Sequence, residues 1–369
     1  MMLPTGRQRL RLQRPRGVAT LVLLTIVLLA VTTIMVTSLS VSQRRTVQVK
    51  QDADTLNVAA EALRGFSLRH SIPGSLPCPD TTGDGFGNPA VGGCQRQLGL
   101  FPYRTLNTDA LTDSSGAALW YAVELALVNN AVGLKNSSTA VSLNIDGLAM
   151  VAVLIAPGAA INGQNRVLLN TTDFLEGINA DASMQNYSDV SDVGRNDHLL
   201  GISQMSHWTL VSKVAVNEAR NLLLAYQASC GEFPFAAAIG GTGDSVNGLQ
   251  HGLMPFLSAL PEDWGAACAG GAAPVPASWL LTHWADEIQY RMCTSVEGSC
   301  LMVTGDSNQS AAAVVVSAGS ALSGQNRPSA QLSDYFENEN GGAPDNEFRF
   351  HKLANLNGSF NDILRVVSP

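Results

Sequence analysis

Charged side chains are scarce in this chain: Lys, Arg, Asp and Glu together make up 14% of its 369 residues. The positive charges are also unevenly placed, since residues 1–17 contain five arginines and no acidic residue. The formal net charge is −8, so the rest of the chain carries −8 − 5 = −13. Binding to DNA or RNA requires clustered Lys and Arg. We therefore expect no nucleic-acid partner.

Catalytic signatures are also missing. The sequence has no G-x-S-x-G, no P-loop and no G-x-G-x-x-G, and its six histidines are scattered without the H-E-x-x-H spacing. Hydrophobic residues, at 46%, supply enough apolar material for folded cores. These observations predict a folded protein that is not an enzyme and needs no organic cofactor.

One long stretch has no charge at all, from Val18 to Gln43. As a helix, roughly 24 residues at 1.5 Å each would extend about 36 Å, more than a hydrocarbon core of about 30 Å. Arginines that precede an apolar segment keep that end in the cytoplasm. We therefore predict a transmembrane helix at 18–42 that crosses the inner membrane once, with the N-terminus in the cytoplasm and the body in the periplasm.

The two ends of this apolar segment are distinctive. On its N-terminal side a basic leader ends at Arg16, and Gly17 stands immediately before Val18. On its C-terminal side an amphipathic helical pattern continues, with Val49, Leu56, Ala59, Ala60, Leu63 and Phe66 on one stripe. A proline and a glycine, Pro73 and Gly74, then predict the end of the helix.

This arrangement resembles the N-terminus of prepilins of the type IV pilus and type II secretion kind. The resemblance implies cleavage by prepilin peptidase between Gly17 and Val18. It also implies packing of the N-terminal helix among the helices of other pilin or pseudopilin subunits, in the inner membrane and then in a filament. Most pilins have Glu at the fifth mature position, where this chain has Val22. In that respect it is similar to PilX-type minor pilins and to the K-type tip pseudopilin, which implies a place at or near the filament tip.

The sequence also repeats itself, because four blocks recur in the same order at offsets that drift from 157 (231 − 74) to 165 (361 − 196) residues. The blocks are Glu61-Ala62 with Gly74–Pro77 against Glu218-Ala219 with Gly231–Pro234, Gly163–Arg166 (GQNR) against Gly324–Arg327, Asp173–Glu176 against Asp334–Glu337, and Asn196–Leu199 against Asn361–Leu364. This repetition predicts two copies of one module.

Within each copy a helix precedes the strands, which predicts an α+β fold with an antiparallel sheet in each module. The predicted organisation is a basic leader at 1–17, the transmembrane helix at 18–42, a first pilin-like module at 43–203 and a second at 204–369. The GQNR segment of each copy predicts a polar hairpin turn, with its Arg paired to the downstream acid, Asp173 or Asp334.

All six cysteines follow the apolar segment, on the side assigned to the periplasm, where disulfides persist. The first copy contains two, which predicts Cys78–Cys94. The second contains four, which allow three pairings, and the shortest loops favour Cys230–Cys268 and Cys293–Cys300. A structural zinc site would need more closely spaced pairs.

One loop in the first copy has a pattern of metal-binding oxygens. Asp80 and Asp84, with Asn88, alternate around glycines in the manner of a calcium loop. The twelfth position of such a loop would be Val91, which offers no carboxylate. Asx turns explain the same residues without an ion, so calcium at Asp80 and Asp84 and a metal-free turn both remain open.

Together these patterns predict a structural subunit like a minor pilin or pseudopilin, from a type IV pilus or type II secretion filament. Two modules form a head too bulky to repeat along a closely packed fibre, which favours the tip and, after assembly, the cell surface. The alternative is an inner-membrane-anchored periplasmic binding or adhesion protein that never joins a filament. Cleavage after Gly17 distinguishes the two, because a permanent anchor would keep its leader.

Overall fold

The computed structural model describes residues 16–161, 163–181, 185–189, 194–241, 243–255, 276–294, 296–342 and 346–368, with backbone alone at 16–20, 34–42, 44 and 368. The chain forms two compact units, of which one ends at Gln51 and the other comprises Asp52–Pro369.

The α-helices of the described ranges are α1 (Arg16–Arg69), α2 (Gln204–Cys230) and α3 (Ser278–Trp284). The strands of the first half are β1 (Pro89–Ala90), β2 (Gly93–Cys94), β3 (Leu98–Leu100), β4 (Trp120–Val123), β5 (Asn144–Ile145), β6 (Leu148–Ala156), β7 (Asn186–Tyr187) and β8 (His198–Ser203). Those of the second half are β9 (His251–Leu253), β10 (Ile288–Met292), β11 (Leu301–Gly305), β12 (Gln309–Ala311), β13 (Ala313–Ser317), β14 (Glu347–Phe350) and β15 (Ile363–Ser368). Short 3-10 helices lie at Leu125–Leu127, Thr171–Asp173, Gly177–Ala180, Ala285–Glu287, Leu332–Asp334, Asn338–Gly341 and Leu353–Asn355.

The C-terminal part of α1 forms a spine of the larger unit. Leu56, Ala59, Ala60 and Leu63 are at most 2% exposed, because their spacing places them on one face of the helix. The helix ends at Arg69, slightly before the predicted stop, and Gly74 turns the chain with φ = +97°.

The predicted transmembrane helix at 18–42 is wrong, and so is the single-pass inner-membrane location that depended on it. No helix in the described part of the chain is both long enough and apolar enough to cross a membrane.

Helix α2 opens the second half without an apolar extension. Ser203 caps its N-terminus, where the Oγ accepts a hydrogen bond from the Ser206 amide at 3.2 Å. Gly231 ends the helix in the left-handed conformation, with φ = +79°, as glycine does at helix C-termini. Trp208 and Val211 lie on its buried face.

The main sheet has the same strand order in both halves. In the first half β3, β4, β6 and β8 are consecutive antiparallel neighbours, and in the second half β9, β10, β13 and β15 are. A close approach also recurs: a Cβ on Gly99 of β3 would lie 2.6 Å from the Asp80 carbonyl oxygen, and one on Gly252 of β9 would lie 2.1 Å from that of Ala237. Glycine is therefore required at both positions. The division into modules at 203/204 stays a prediction.

The expectation of purely antiparallel modules is also wrong. Strand β5 pairs in parallel with β7, and β11 pairs in parallel with β14. A parallel pair needs a long crossover connection, and the long segments that carry the GQNR turns provide one in each half. The sheets are consequently mixed.

Among the described residues, the hydrophobic side chains of the larger unit form a central cluster and two outer ones. The central cluster joins both halves, with Leu63 and Tyr121 from the first and Trp208, Trp284 and Tyr290 from the second. One outer cluster surrounds Trp120 and Tyr187, and the other surrounds Val316 and Phe348.

Candidate functional site

The predicted cleavage site lies at the beginning of α1. Gly17 and Val18 have helical backbone, and their side chains are outside the described set, so cleavage between them stays a prediction. From residue 21 to residue 33 the apolar side chains are exposed in the chain by itself, for example Leu21 at 66%, Val22 at 48% and Leu24 at 69%. This part of the helix therefore presents apolar surface without a partner from the same chain among the described residues.

Two of the three predicted disulfides are present. Cys78 bonds to Cys94 and Cys293 bonds to Cys300, with Cα–Cα distances of 5.4 and 5.9 Å. Cys230 is also disulfide-bonded. Its predicted partner, Cys268, lies outside the described residues, so the pairing Cys230–Cys268 stays a prediction.

The candidate calcium loop is organised by backbone hydrogen bonds. The Asp80 carboxylate is 2% exposed and accepts from the amides of Thr82, Gly83 and Gly85 at 2.9, 2.7 and 2.7 Å. Asp84 accepts from the Phe86 amide at 2.9 Å. These bonds match the Asx-turn alternative. Within the described ranges no group of three or more His, Cys, Asp or Glu side chains could hold a metal ion.

The two GQNR turns share several hydrogen bonds. Gln164 Nε2 donates to Glu176 Oε1 at 2.6 Å, and Gln325 Nε2 donates to Glu337 Oε1 at 2.8 Å. The arginine of each turn donates through Nη1 to a glycine carbonyl at 2.7 Å, namely Gly158 for Arg166 and Gly319 for Arg327. The turns are thus structurally equivalent and fold back on the segment that follows them.

The prediction that each Arg pairs with the downstream acid is wrong. The side chains of Asp173 and Asp334 accept instead from the amides of Asn165 and Asn326, at 3.3 and 3.4 Å. Arg166 lies over the Phe174 ring, 5.2 Å from its centroid. In the second turn, Arg327 Nε donates to the backbone carbonyl oxygen of Asp334 at 2.6 Å and not to its carboxylate.

Arg327 also forms an ion pair that the other turn lacks. Its Nη1 lies 3.5 Å from Glu287 Oε2, and both side chains are 2% exposed. Glu287 accepts from Ser137 Oγ at 2.9 Å and from Ser138 Oγ, both from the first half of the chain. Burial raises the pKa of Glu287, while Arg327 acts in the opposite direction. This carboxylate therefore joins the second GQNR turn to the first half.

A short polar segment continues this junction between the halves. The Lys135 amide donates to His283 Nδ1 at 3.3 Å, and Asn136 Nδ2 donates to the His283 carbonyl oxygen at 2.7 Å. Lys135 is 1% exposed, and its ammonium donates to the Ala131 carbonyl at 2.9 Å. Burial lowers the pKa of Lys135, and burial followed by the Lys135 charge lowers that of His283. Sequence reasoning missed this junction, because a Lys-Asn-Ser-Ser run also occurs in ordinary surface loops.

Behind each GQNR turn two carboxyl groups meet in the interior. In the first half they belong to Glu176 and Asp197, which are 5% and 3% exposed. In the second half they belong to Glu337 and Asp362, which are 8% and 2% exposed. Burial, followed by the Glu176 charge, raises the pKa of Asp197 to about 8. Burial and the Glu337 charge likewise raise the pKa of Asp362 well above its usual range.

No protein-family model, curated protein or solved structure matches this chain. The site residues must therefore be interpreted from their own geometry and chemistry.

Proposed function

We propose that this chain is a structural subunit of a pilus-like filament, of the minor pilin or pseudopilin kind, at or near the filament tip. The observation that supports this best is helix α1. Its C-terminal part packs in the folded head through Leu56 and Leu63, and its N-terminal part displays apolar side chains that the chain leaves exposed. A helix segment that is apolar on all sides requires other apolar groups to cover it, and the helices of neighbouring subunits would supply them.

The exposed apolar segment gives a driving force for assembly. Burial of one leucine side chain contributes roughly 2 kcal/mol, and the segment 21–33 includes Leu21, Leu23, Leu24, Leu28 and Leu29, which are 63–69% exposed. Helices of neighbouring subunits would cover these side chains in a filament core. The backbone of this segment needs no partner in the filament, because an α-helix makes its own backbone hydrogen bonds.

Two features of the sequence support the prepilin kind in particular. The arginine-rich leader 1–17 ends in Gly17, and its removal would leave Val18 as the first residue of the filament helix. The disulfides Cys78–Cys94 and Cys293–Cys300 are typical of an oxidising compartment, where the head of such a subunit resides. Prepilin peptidase and other pilin or pseudopilin subunits are the partners that this function requires.

The tip position follows from Val22 and from the head. A shaft subunit would use a Glu at this position to pair with the amine of its neighbour, and Val22 offers no charge. The larger unit, Asp52–Pro369, comprises both halves, so every copy would add both halves to the filament. One copy at an end is sterically simpler than repetition along a shaft.

Processing is the first test. Gly17→Leu places a bulky side chain at the proposed cleavage site, and Gly6→Leu places the same side chain elsewhere in the leader as a control. Intact-mass measurement should find that the Gly17→Leu variant retains the leader and is absent from sheared filaments, while the Gly6→Leu variant is cleaved and incorporated. A Gly17→Leu variant that is cleaved normally and enters filaments would refute the proposal.

Helix packing is the second test. The double change Leu24→Asp and Leu28→Asp introduces two charges into the exposed apolar segment and leaves the residues of the head unchanged. We expect folded, disulfide-bonded protein that fails to co-purify with filaments. The control Leu24→Ile and Leu28→Ile keeps the apolar surface and should co-purify. Equal recovery of both variants would favour a binding or adhesion protein that does not join a filament.

A further inference from the structure

Each half contains the same buried arrangement of two acidic side chains. In the first half, Asp197 Oδ2 accepts from the Glu176 amide at 3.0 Å and from Asn179 Nδ2 at 3.2 Å. Glu176 Oε2 accepts a hydrogen bond from the Asn196 amide at 3.0 Å, and Glu176 Oε1 accepts one from Gln164 Nε2. One oxygen of the aspartate, Oδ1, is buried without a hydrogen-bond donor among the described residues.

The second half repeats this geometry closely. Asp362 Oδ2 accepts from the Glu337 amide at 2.9 Å and from Asn340 Nδ2 at 3.1 Å. Glu337 Oε2 accepts from the Asn361 amide at 3.0 Å, and the Oδ1 of Asp362 also lacks a donor among the described residues. Two occurrences of one arrangement show that it belongs to the module and is not an accident of one loop.

Three of the cations near these pairs have partners elsewhere. The charged groups on the surrounding segments are Arg166, Asp173, Arg195 and His198 in the first half, and Arg327, Asp334, Glu339 and Arg349 in the second. Arg166 donates to carbonyl oxygens, Arg327 pairs with Glu287, and Arg349 pairs with Glu339. Two ionised carboxylates in contact would repel each other strongly in the interior, so one of them retains a proton.

We propose that Glu176–Asp197 and Glu337–Asp362 are two proton-operated latches. While a pair shares one proton, it holds its GQNR segment against the last strand of its half, β8 or β15. When the pair loses that proton, the GQNR segment is released from the strand. The proton lies on the aspartate Oδ1, which then donates to the glutamate carboxylate. Through Gln164 or Gln325, the glutamate holds the turn. Through the amide of Asn196 or Asn361, it holds the residue just before β8 or β15.

The direction of the pH effect follows from the raised pKa values. A carboxyl group with a raised pKa binds a proton in the folded state over a pH range in which the unfolded chain has released it. Its stabilising contribution is complete below the unfolded pKa, near 4, and is lost as the pH rises through the folded value, about 8 for Asp197. Over that range each pair should change the unfolding constant by up to about tenfold per pH unit.

The test compares full-length wild-type protein with Asp197→Asn, Asp362→Asn and the double variant. Asparagine resembles the protonated aspartate, because its Nδ2 can donate to the glutamate, yet it does not titrate. The unfolding constant should be measured in urea between pH 5 and pH 8. Each single variant should reduce the change of that constant with pH by up to about tenfold per pH unit, and the double variant by up to about a hundredfold per pH unit. Asp173→Asn, in the same loop, is the matched control and should leave the dependence unchanged.

A second measurement applies even if a variant fails to fold. Infrared spectroscopy of the wild-type protein with isotope-labelled aspartate should detect protonated carboxyl groups at pH 7, and the part of the signal that the Asp362→Asn variant retains, from Asp197, should disappear as the pH rises through about 8. The protection of the Asn196 amide against hydrogen exchange, measured relative to its intrinsic exchange rate, should fall over the same range. Absence of protonated aspartate at pH 7, or variants with the wild-type pH dependence, would overturn the proposal.

Discussion

At the scale of single residues, burial of titratable side chains shifts their pKa values and so makes the stability of the larger unit depend on pH. His207, at the start of α2, is 3% exposed, and its Nε2 donates to the Gly74 carbonyl oxygen at 3.1 Å. Burial lowers its pKa to about 4. The neutral ring thus links α2 to Gly74, in the turn that follows α1. A charged ring there would lose its hydration without gaining a compensating charge.

This gives an acid-sensitivity prediction with a defined sign. Because the folded pKa of His207 is below the unfolded 6.5, its stabilising contribution is present above pH 6.5 and is lost as the pH falls through about 4. The difference corresponds to about 3 kcal/mol in the free energy of unfolding. His207→Gln, which can still donate to Gly74, should flatten the fall in stability between pH 6.5 and pH 4. Urea unfolding at several pH values measures this, and an unchanged slope would count against the assignment.

The two turn arginines offer a matched comparison. Arg327→Met removes the partner of the buried Glu287, so we expect a loss of about 3–5 kcal/mol, as for other broken buried ion pairs. Arg166→Met, at the equivalent position, removes hydrogen bonds to carbonyl oxygens and the contact with the Phe174 ring but uncovers no carboxylate among the described residues. Its loss should be about 1–2 kcal/mol. Equal losses in denaturant unfolding would show that the ion pair has no special weight.

At the scale of elements, the loop after α1 depends on a covalent link. The Cys78–Cys94 bond closes a separation of 16 residues and joins Cys78, which is 3% exposed, to the short strand β2. The turn around Asp80 lies within this loop. The bond and the buried carboxylate together fix a segment that contains little regular structure.

Removal of that link should be measurable. Cys78→Ala with Cys94→Ala should lower the free energy of unfolding by about 3 kcal/mol, because the unfolded chain regains the freedom of a loop of this length. The comparison pair is Cys293→Ala with Cys300→Ala, whose separation is 7 residues. The shorter loop should cost less, on the order of 2 kcal/mol. Thermal unfolding of both variants gives the values, and the opposite order would contradict the loop-length argument.

At the scale of the whole molecule, the two halves share one central core within Asp52–Pro369. Trp208 and Trp284 lie 6.1 Å apart between ring centroids, and Leu63 and Tyr121 belong to the same cluster. The Lys135–Ser138 segment adds hydrogen bonds across the junction. The halves therefore depend on each other for burial.

We accordingly predict one cooperative unfolding transition for this unit. Tryptophan fluorescence and far-ultraviolet circular dichroism should give coincident curves in urea. Ser137→Ala with Ser138→Ala removes two hydrogen bonds from Glu287 and should lower stability by about 2–4 kcal/mol without splitting the transition. Two separate transitions in the wild-type protein would mean that each half folds independently.

Sequence reasoning located much of the local structure because local signals carry it. The stripe through Leu56 and Leu63 predicted the buried face of α1. The disulfide Cys78–Cys94 followed from the presence of two cysteines in the first copy, and Cys293–Cys300 followed from loop length. The transmembrane prediction failed because it extrapolated from an uncharged run, and the strictly antiparallel sheet failed because long connections permit parallel returns.

The amino-acid sequence by itself determined the buried stripe of α1, two disulfides and the matched blocks that place GQNR twice, since each depends on neighbouring or repeated residues. Only the tertiary structure decided the partners of buried charges: Arg327 with Glu287, Glu176 with Asp197, and Lys135 beside His283. These residues are far apart in the chain. The energy of a buried charge depends on which dipoles and charges surround it, and that environment exists only after the chain has folded.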